Sequence, residues 1–218
     1  MEAYTTMDVK DFDRIEYFQY FMRTGTTIEL TVKIDVTAAV GKCKNESIHF
    51  QSYILFKLYE VVNTIKNFRY DIVNGKLVEW KSVVPTFSSF NNSTKLFSTL
   101  YADMADNYAE FDIRYKEAIA KYANAHAIVP QGNLPQNVFN VSCIPWLHFE
   151  HFSSNASIQE HQIVKMITLG KYKESGGRLI CPFTLQVSHA IADGYHASLF
   201  FEKLQAALDA ACIQQSSV

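Results

Sequence analysis

Cysteine is scarce in this chain of 218 residues: Cys43, Cys143, Cys181 and Cys212 stand far apart, with no C-x-x-C pair. That spacing excludes a zinc ribbon or disulfide framework and leaves buried, reduced thiols as the expectation. Pro/Gly/Ser-rich linkers, repeats and low-complexity tracts are absent, so residues 1–218 read as a single domain. No apolar run approaches the roughly 18 residues that a membrane helix needs. Met1-Glu2-Ala3-Tyr4 lacks the basic region and apolar stretch of a secretory signal, so a cytoplasmic location is expected. Neither sign of charge prevails: 20 Lys and Arg against 22 Asp and Glu give a net charge of −2. Neither nucleic acid nor an anionic membrane is therefore expected as the main partner.

Apolar and aromatic material is plentiful. A 48% hydrophobic content excludes a chain held open by charge, and 16 Phe with 12 Tyr leave aromatics to line a pocket as well as fill a core. Residues Asp11–Phe21 read as a short helix capped by Asp11. Thr26–Asp35 alternates, with Ile28, Leu30, Val32 and Ile34 on one strand face. From Ser47 to Thr64 the apolar spacing shifts to three and four, as in a packed helix. Asn74-Gly75 predicts a hairpin turn between Phe68–Val73 and Lys76–Phe90. A helix is expected over Asp103–Asn124, and strands over Phe139–Phe152, Ile163–Tyr172 and Arg178–Ser188, with Gly176-Gly177 turning into the last. Gly194–Cys212 closes the chain as a helix. This irregular interleaving predicts an α/β fold of the two-layer (α+β) kind, a mixed, largely antiparallel sheet covered by helices.

The chemically informative stretch is Gln186–His196. A strand delivers His189 at its end, and Asp193-Gly194 opens a helix. Imidazole takes and returns a proton near neutral pH, as hydroxyl activation requires. Asp193 suits a helix cap or an arginine partner. Taken alone, H-x-x-x-D-G fits a core histidine beside an ordinary cap equally well. Trp146–Phe152 holds His148, Glu150 and His151, with His161 nearby. Read as a strand, it puts His151 on the face opposite the other two, so no metal site is expected. His196 is expected to be structural, and Cys143 to be buried and inert.

Phe183–His196 resembles the signature of the type A chloramphenicol acetyltransferases, usually Q-V-H-H-A-V-x-D-G-[FY]-H. Pro130-Gln131-Gly132 and Asn140-Val141-Ser142-Cys143-Ile144-Pro145-Trp146 are similar to their P-Q-G and N-x-S-x-x-P-W blocks. Thr168-Leu169-Gly170-Lys171-Tyr172 resembles T-M-[AG]-K-Y. Tyr4-Thr5, Asp13–Phe18, the Asn74–Val83 hairpin and Phe97-Ser98 extend the likeness from residue 4 to about residue 211.

The resemblance implies a coenzyme-A-dependent acyltransferase fold and acetyl transfer from acetyl-CoA, a cosubstrate rather than a tightly bound cofactor, to a hydroxyl of chloramphenicol. Antibiotic resistance is the implied biological role. His189 would be the general base and Ser142 the oxyanion donor, with Thr168 supporting the intermediate through water. Asp193 and Arg14 would form a buried ion pair away from substrate. Lys171 and Tyr172 would flank the coenzyme channel. The family works as a homotrimer with active sites at subunit interfaces, the histidine coming from one subunit and much of the acceptor pocket from its neighbour.

Departures from the pattern cluster on the acceptor side. Ser188 replaces the first histidine of the usual pair, and strand alternation should turn it away from His189. Among pocket positions, Phe21 stands for a tyrosine, Val129 for a phenylalanine, Thr99 for a small residue, and Ser154 and Ala156 for larger aliphatics; Phe97 and Phe152 are kept. A more polar pocket follows, and with it two alternatives: a different hydroxylated acceptor, or a catalytically silent relative that only binds.

Overall fold

A computed structural model describes residues 3–8, 10, 12–154 and 162–211. Its larger sheet runs β2 (Thr27–Asp35), β10 (Arg178–Ser188), β8 (Lys165–Gly170), β7 (Val138–Ile144), β5 (Val84–Phe90), β6 (Phe97–Tyr101), with β9 (Lys173–Ser175) also paired to β10. The β5–β7 and β7–β8 pairs are parallel and the others antiparallel, so the sheet is mixed. A three-stranded sheet of β1 (Tyr4–Thr6), β4 (Lys76–Trp80) and β3 (Tyr70–Val73) stands beside it. Asn74 and Gly75 join β3 to β4 with φ of 51° and 73°, the left-handed pair that a two-residue hairpin turn requires.

Strand alternation divides the large sheet into two unlike faces. Ile34, Phe183, Leu185, Val187, Ile167, Leu169, Phe139, Val141, Phe87 and Leu100 are buried in the main core. Helices α2 (Thr37–Asn45), α3 (Phe50–Asn63) and α5 (Gly194–Asp209) contribute Val40, Leu55, Leu58, Phe200 and Leu204 to the same core. Each such side chain adds about 1.5–3 kcal/mol on burial. Helix α4 (Tyr108–Tyr122) packs on α3 and β6.

The opposite face is polar. A row of hydroxyls crosses it: Thr31 lies opposite Thr184, Thr184 opposite Thr168, and Thr168 opposite Ser142. Residues 147–154 cross over part of this face. They approach so closely at Gly170 that a Cβ there would meet Leu147 O, Phe149 and Pro182 at 2.8 Å.

Several boundaries differ from expectation, among them the start of the helix expected at Asp103, which is Tyr108, and the strand expected over Ile163–Tyr172, which is Lys165–Gly170. Helix α1 (Ile15–Thr24) starts after Arg14, with no side-chain cap, and Asp11 lies outside the described residues. Lys76–Phe90 is two strands in two sheets, broken at Lys81–Val83. The strand expected over Phe139–Phe152 ends at Ile144, after which Pro145 leads the chain into the crossing segment. Helix α2 carries little sequence signal: Gly41 interrupts it, and its buried apolar residues Ala39, Val40 and Cys43 are small and few.

Candidate active site

Strand β10 is held between β2 and β8, so its end is a rigid mount. His189 follows directly. Its backbone N–H donates to Thr26 O at 2.9 Å, and its Nδ1 lies 2.9 Å from Ala192 O. A carbonyl oxygen only accepts, so Nδ1 carries the ring proton and Nε2 keeps a lone pair. Phe21 of α1 stacks on the imidazole, centroids 3.8 Å apart and planes 13° from parallel. Ser188 turns elsewhere: its Oγ accepts from Val164 N–H at 2.8 Å.

Asp193 caps α5, accepting from Tyr195 N–H at 3.0 Å. Arg14 Nη1 donates to its Oδ2 at 2.8 Å, and His196 Nδ1 lies 2.8 Å from its Oδ1. Burial pushes the carboxyl up, but hydrogen bonds from Arg14 and His196 and their charges outweigh it and hold the group at about 2. Arg14 and Asp193 are 17% and 35% exposed, so the pair is sheltered rather than sealed. With Nδ1 donating to the carboxylate, His196 supports the helix cap through the Asp193 side chain, a structural task.

Ser142 sits on β7 directly opposite Thr168. The β5–β7 ladder ends one residue before it, at Phe87–Val141, and one residue after it Cys143 N–H donates to Ser88 Oγ at 3.2 Å. Burial pushes the Cys143 thiol up to about 11, which keeps it un-ionised. Of the acceptor positions, Phe97 and Thr99 lie on β6, and Thr99 N–H donates to Ile128 O at 2.7 Å, drawing the Val129 segment alongside. Phe152 packs on Phe149 at 5.8 Å, and Ser154 O accepts from Gln186 Nε2 at 3.0 Å. Ala156 lies outside the described residues.

Lys171 N–H donates to Leu147 O at 2.8 Å, and Tyr172 meets Phe50 edge-on at 5.6 Å. Near the end of β7 opens a groove of about 630 Å³, lined among others by Phe50, Ser88, Phe90, Cys143 and Trp146. Sequence places Phe50 only on the apolar face of a helix, gives Phe90 no signal beyond the aromatic excess, and gives Ser88 none. His148, Glu150 and His151 lie in irregular chain, not in a strand. They bond to Lys171 O, Lys33 Nζ and Thr31 Oγ1 respectively, and among the described residues no three metal-binding side chains cluster.

The registers also fix a separation. His189 stands five residues beyond Thr184, and Ser142 two strands across from it. At ~3.3 Å per residue and ~4.8 Å per strand, the two lie about 20 Å apart within one chain. The structure thus brings His189, Phe21, Arg14 and Asp193 together at one end, and Ser142 with Thr168 at another.

A family model described as chloramphenicol acetyltransferase matches residues 2–205. The chain belongs to the chloramphenicol acetyltransferase family. Chloramphenicol acetyltransferase 3 of Escherichia coli is 32% identical over 203 residues, spanning 93% of this chain and 95% of that relative. A chloramphenicol acetyltransferase of Staphylococcus aureus is 30% identical over 204 residues, 93% and 95% of the two chains. Among solved structures, a chloramphenicol acetyltransferase superposes with a TM-score of 0.81 at 20% identity, covering 94% of this chain and 99% of the other. A probable dihydrolipoamide acetyltransferase from Listeria monocytogenes shares the fold at a TM-score of 0.65 and 12% identity, covering 93% and 92%. Chloramphenicol acetyltransferase and acyltransferase cores thus share one α/β architecture.

Proposed function

We propose that this chain is a cytoplasmic chloramphenicol O-acetyltransferase that confers resistance, moving an acetyl group from acetyl-CoA to a hydroxyl of the antibiotic. The observation that carries the mechanism is the Nδ1–H bond of His189 to Ala192 O, which leaves Nε2 as an acceptor. Nε2 takes the proton of the acceptor hydroxyl as its oxygen attacks the thioester carbonyl. A tetrahedral oxyanion forms, and Ser142 donates a hydrogen bond to it, with Thr168 in support through water. Collapse breaks the carbon–sulfur bond, and His189 returns the proton to the departing thiolate. A positioned base contributes about 10²–10⁴ in rate and an oxyanion donor about 10²–10³, so transfer within one ternary complex needs no covalent enzyme intermediate.

The separation of about 20 Å supports active sites shared between copies, His189 of one facing Ser142 of the next in a homotrimer. Lys171, Tyr172 and the groove around Trp146 and Phe50 are the proposed seat of the cosubstrate, with Phe21, Phe97, Thr99, Val129, Phe152, Ser154 and Ala156 around the acceptor.

Thr99 and Ser154 favour a second reading, the same chemistry on a more polar hydroxylated compound. Thiol release from acetyl-CoA, measured with chloramphenicol, an alcohol panel and dihydrolipoamide, separates these readings. The expected result is release with chloramphenicol far above that with dihydrolipoamide, and its loss in His189→Ala. Release only with another alcohol would replace the acceptor. Unchanged release in His189→Ala would remove the enzymatic mechanism.

A further inference from the structure

We propose that Ser188 is a positioning residue for His189, a role that rests on His189 being the general base. Every polar atom of Ser188 is engaged. Its N–H donates to Val164 O at 3.0 Å and its Oγ accepts from Val164 N–H at 2.8 Å. Its carbonyl accepts from Ile191 N–H at 3.1 Å and Ala192 N–H at 3.4 Å. Ala192 is the residue whose own carbonyl takes the Nδ1 proton of His189.

The backbone of Ser188 therefore closes the turn that fixes the imidazole tautomer, and its side chain ties that turn to the chain entering β8. The anchor is firm. Val164 precedes Lys165, a residue 5% exposed whose Nζ donates to Asp71 Oδ2 at 2.8 Å and Tyr70 O at 3.2 Å. Ser188 itself is 4% exposed, so without its hydroxyl the half-buried Val164 N–H loses its partner within the protein and is left to the open groove that Val164 lines. Two segments then shift apart: the lead-in to β8 and the 188–192 turn. As the Nδ1–H···O=C bond loosens, the neutral ring gains access to the tautomer that carries its proton on Nε2, which accepts nothing. Ser188 thus performs, through a hydroxyl and a backbone amide, a task that lies wholly behind the imidazole and touches no substrate. The usual histidine at this position is not needed for it.

The test uses the assembled enzyme and four variants: Ser188→Ala, Ser188→Thr, His189→Ala and the Ser188→Ala/His189→Ala double. In saturating thiol-release assays, Ser188→Ala is expected to lower kcat about ten- to a hundredfold, the scale of a misplaced catalytic group. KM for both substrates should stay within about twofold, because no binding contact is removed. Ser188→Thr keeps the oxygen and restores kcat. Adding Ser188→Ala to His189→Ala changes nothing further. Imidazole ¹⁵N spectra of the His189 ring should show a single Nδ1–H tautomer in the parent and a mixture in Ser188→Ala. Wild-type kcat with unchanged ¹⁵N shifts in Ser188→Ala, or failure of Ser188→Thr to restore turnover although folded, would overturn the proposal. Full activity in His189→Ala would instead sink the general-base reading beneath it.

Discussion

Phe21 lies flat against His189, their ring centroids 3.8 Å apart. An aromatic pair of this kind is worth about 0.5–1.5 kcal/mol beyond simple burial, and here it also blocks one side of the imidazole. Phe21→Ala should free the ring to rotate and cut kcat/KM about tenfold, whereas Phe21→Tyr should keep the platform and most of the rate. Steady-state kinetics of the two variants decides this; equal loss in both would mean that the face contact is irrelevant.

The Arg14–Asp193 pair predicts an acid limit to stability. Asp193 is held at about 2 in the folded chain, below its ordinary value of 3.8. Its folded pKa is depressed, so its contribution is complete above about pH 4 and fades as pH falls from about 4 to about 2. Because the carboxylate is a third exposed, water screens the pair, and about 1 kcal/mol is the expected size. Asn caps helices as well as Asp, so Asp193→Asn isolates the charge. Melting curves of parent and variant should differ at pH 6 and converge near pH 2.

Lys165 is buried against Asp71 and tethers β8 to the small sheet. Lys165→Met strands the carboxylate and should cost about 3–5 kcal/mol, whereas Lys165→Met with Asp71→Leu should recover most of it. Denaturant unfolding of the three proteins measures the difference. A double variant no more stable than the single one would assign the loss to packing.

Thr99→Ala and Ser154→Leu restore the residue types usual at those positions. One altered apolar contact is worth about 1–3 kcal/mol, so the pair is expected to lower KM for chloramphenicol about tenfold with little change in kcat. An unchanged KM would remove both residues from the acceptor pocket.

Local periodicity made much of the fold readable. The alternation of Ile28, Leu30, Val32 and Ile34 located β2, and Arg178–Ser188 was bounded correctly as β10. What local pattern cannot carry is long-range geometry. Phe139–Phe152 stayed apolar enough to look like one strand because Phe149 and Phe152 pack onto one another over the sheet, where burial does not require strand pairing. Arg14 and Asp193 were paired only through the family pattern, being 179 residues apart. The work of Ser188 was hidden because its partner is a backbone amide, which leaves no trace in residue identity.

On the proposed sharing of active sites between copies, the separation of about 20 Å between His189 and Ser142 within one chain would let disabled chains repair one another. A protein carrying His189→Ala and another carrying Ser142→Ala should each lose about a hundredfold or more in rate alone. Unfolded together and reassembled in equal amounts, they should regain about a quarter of parental turnover, since one junction in four then unites an intact imidazole with an intact serine.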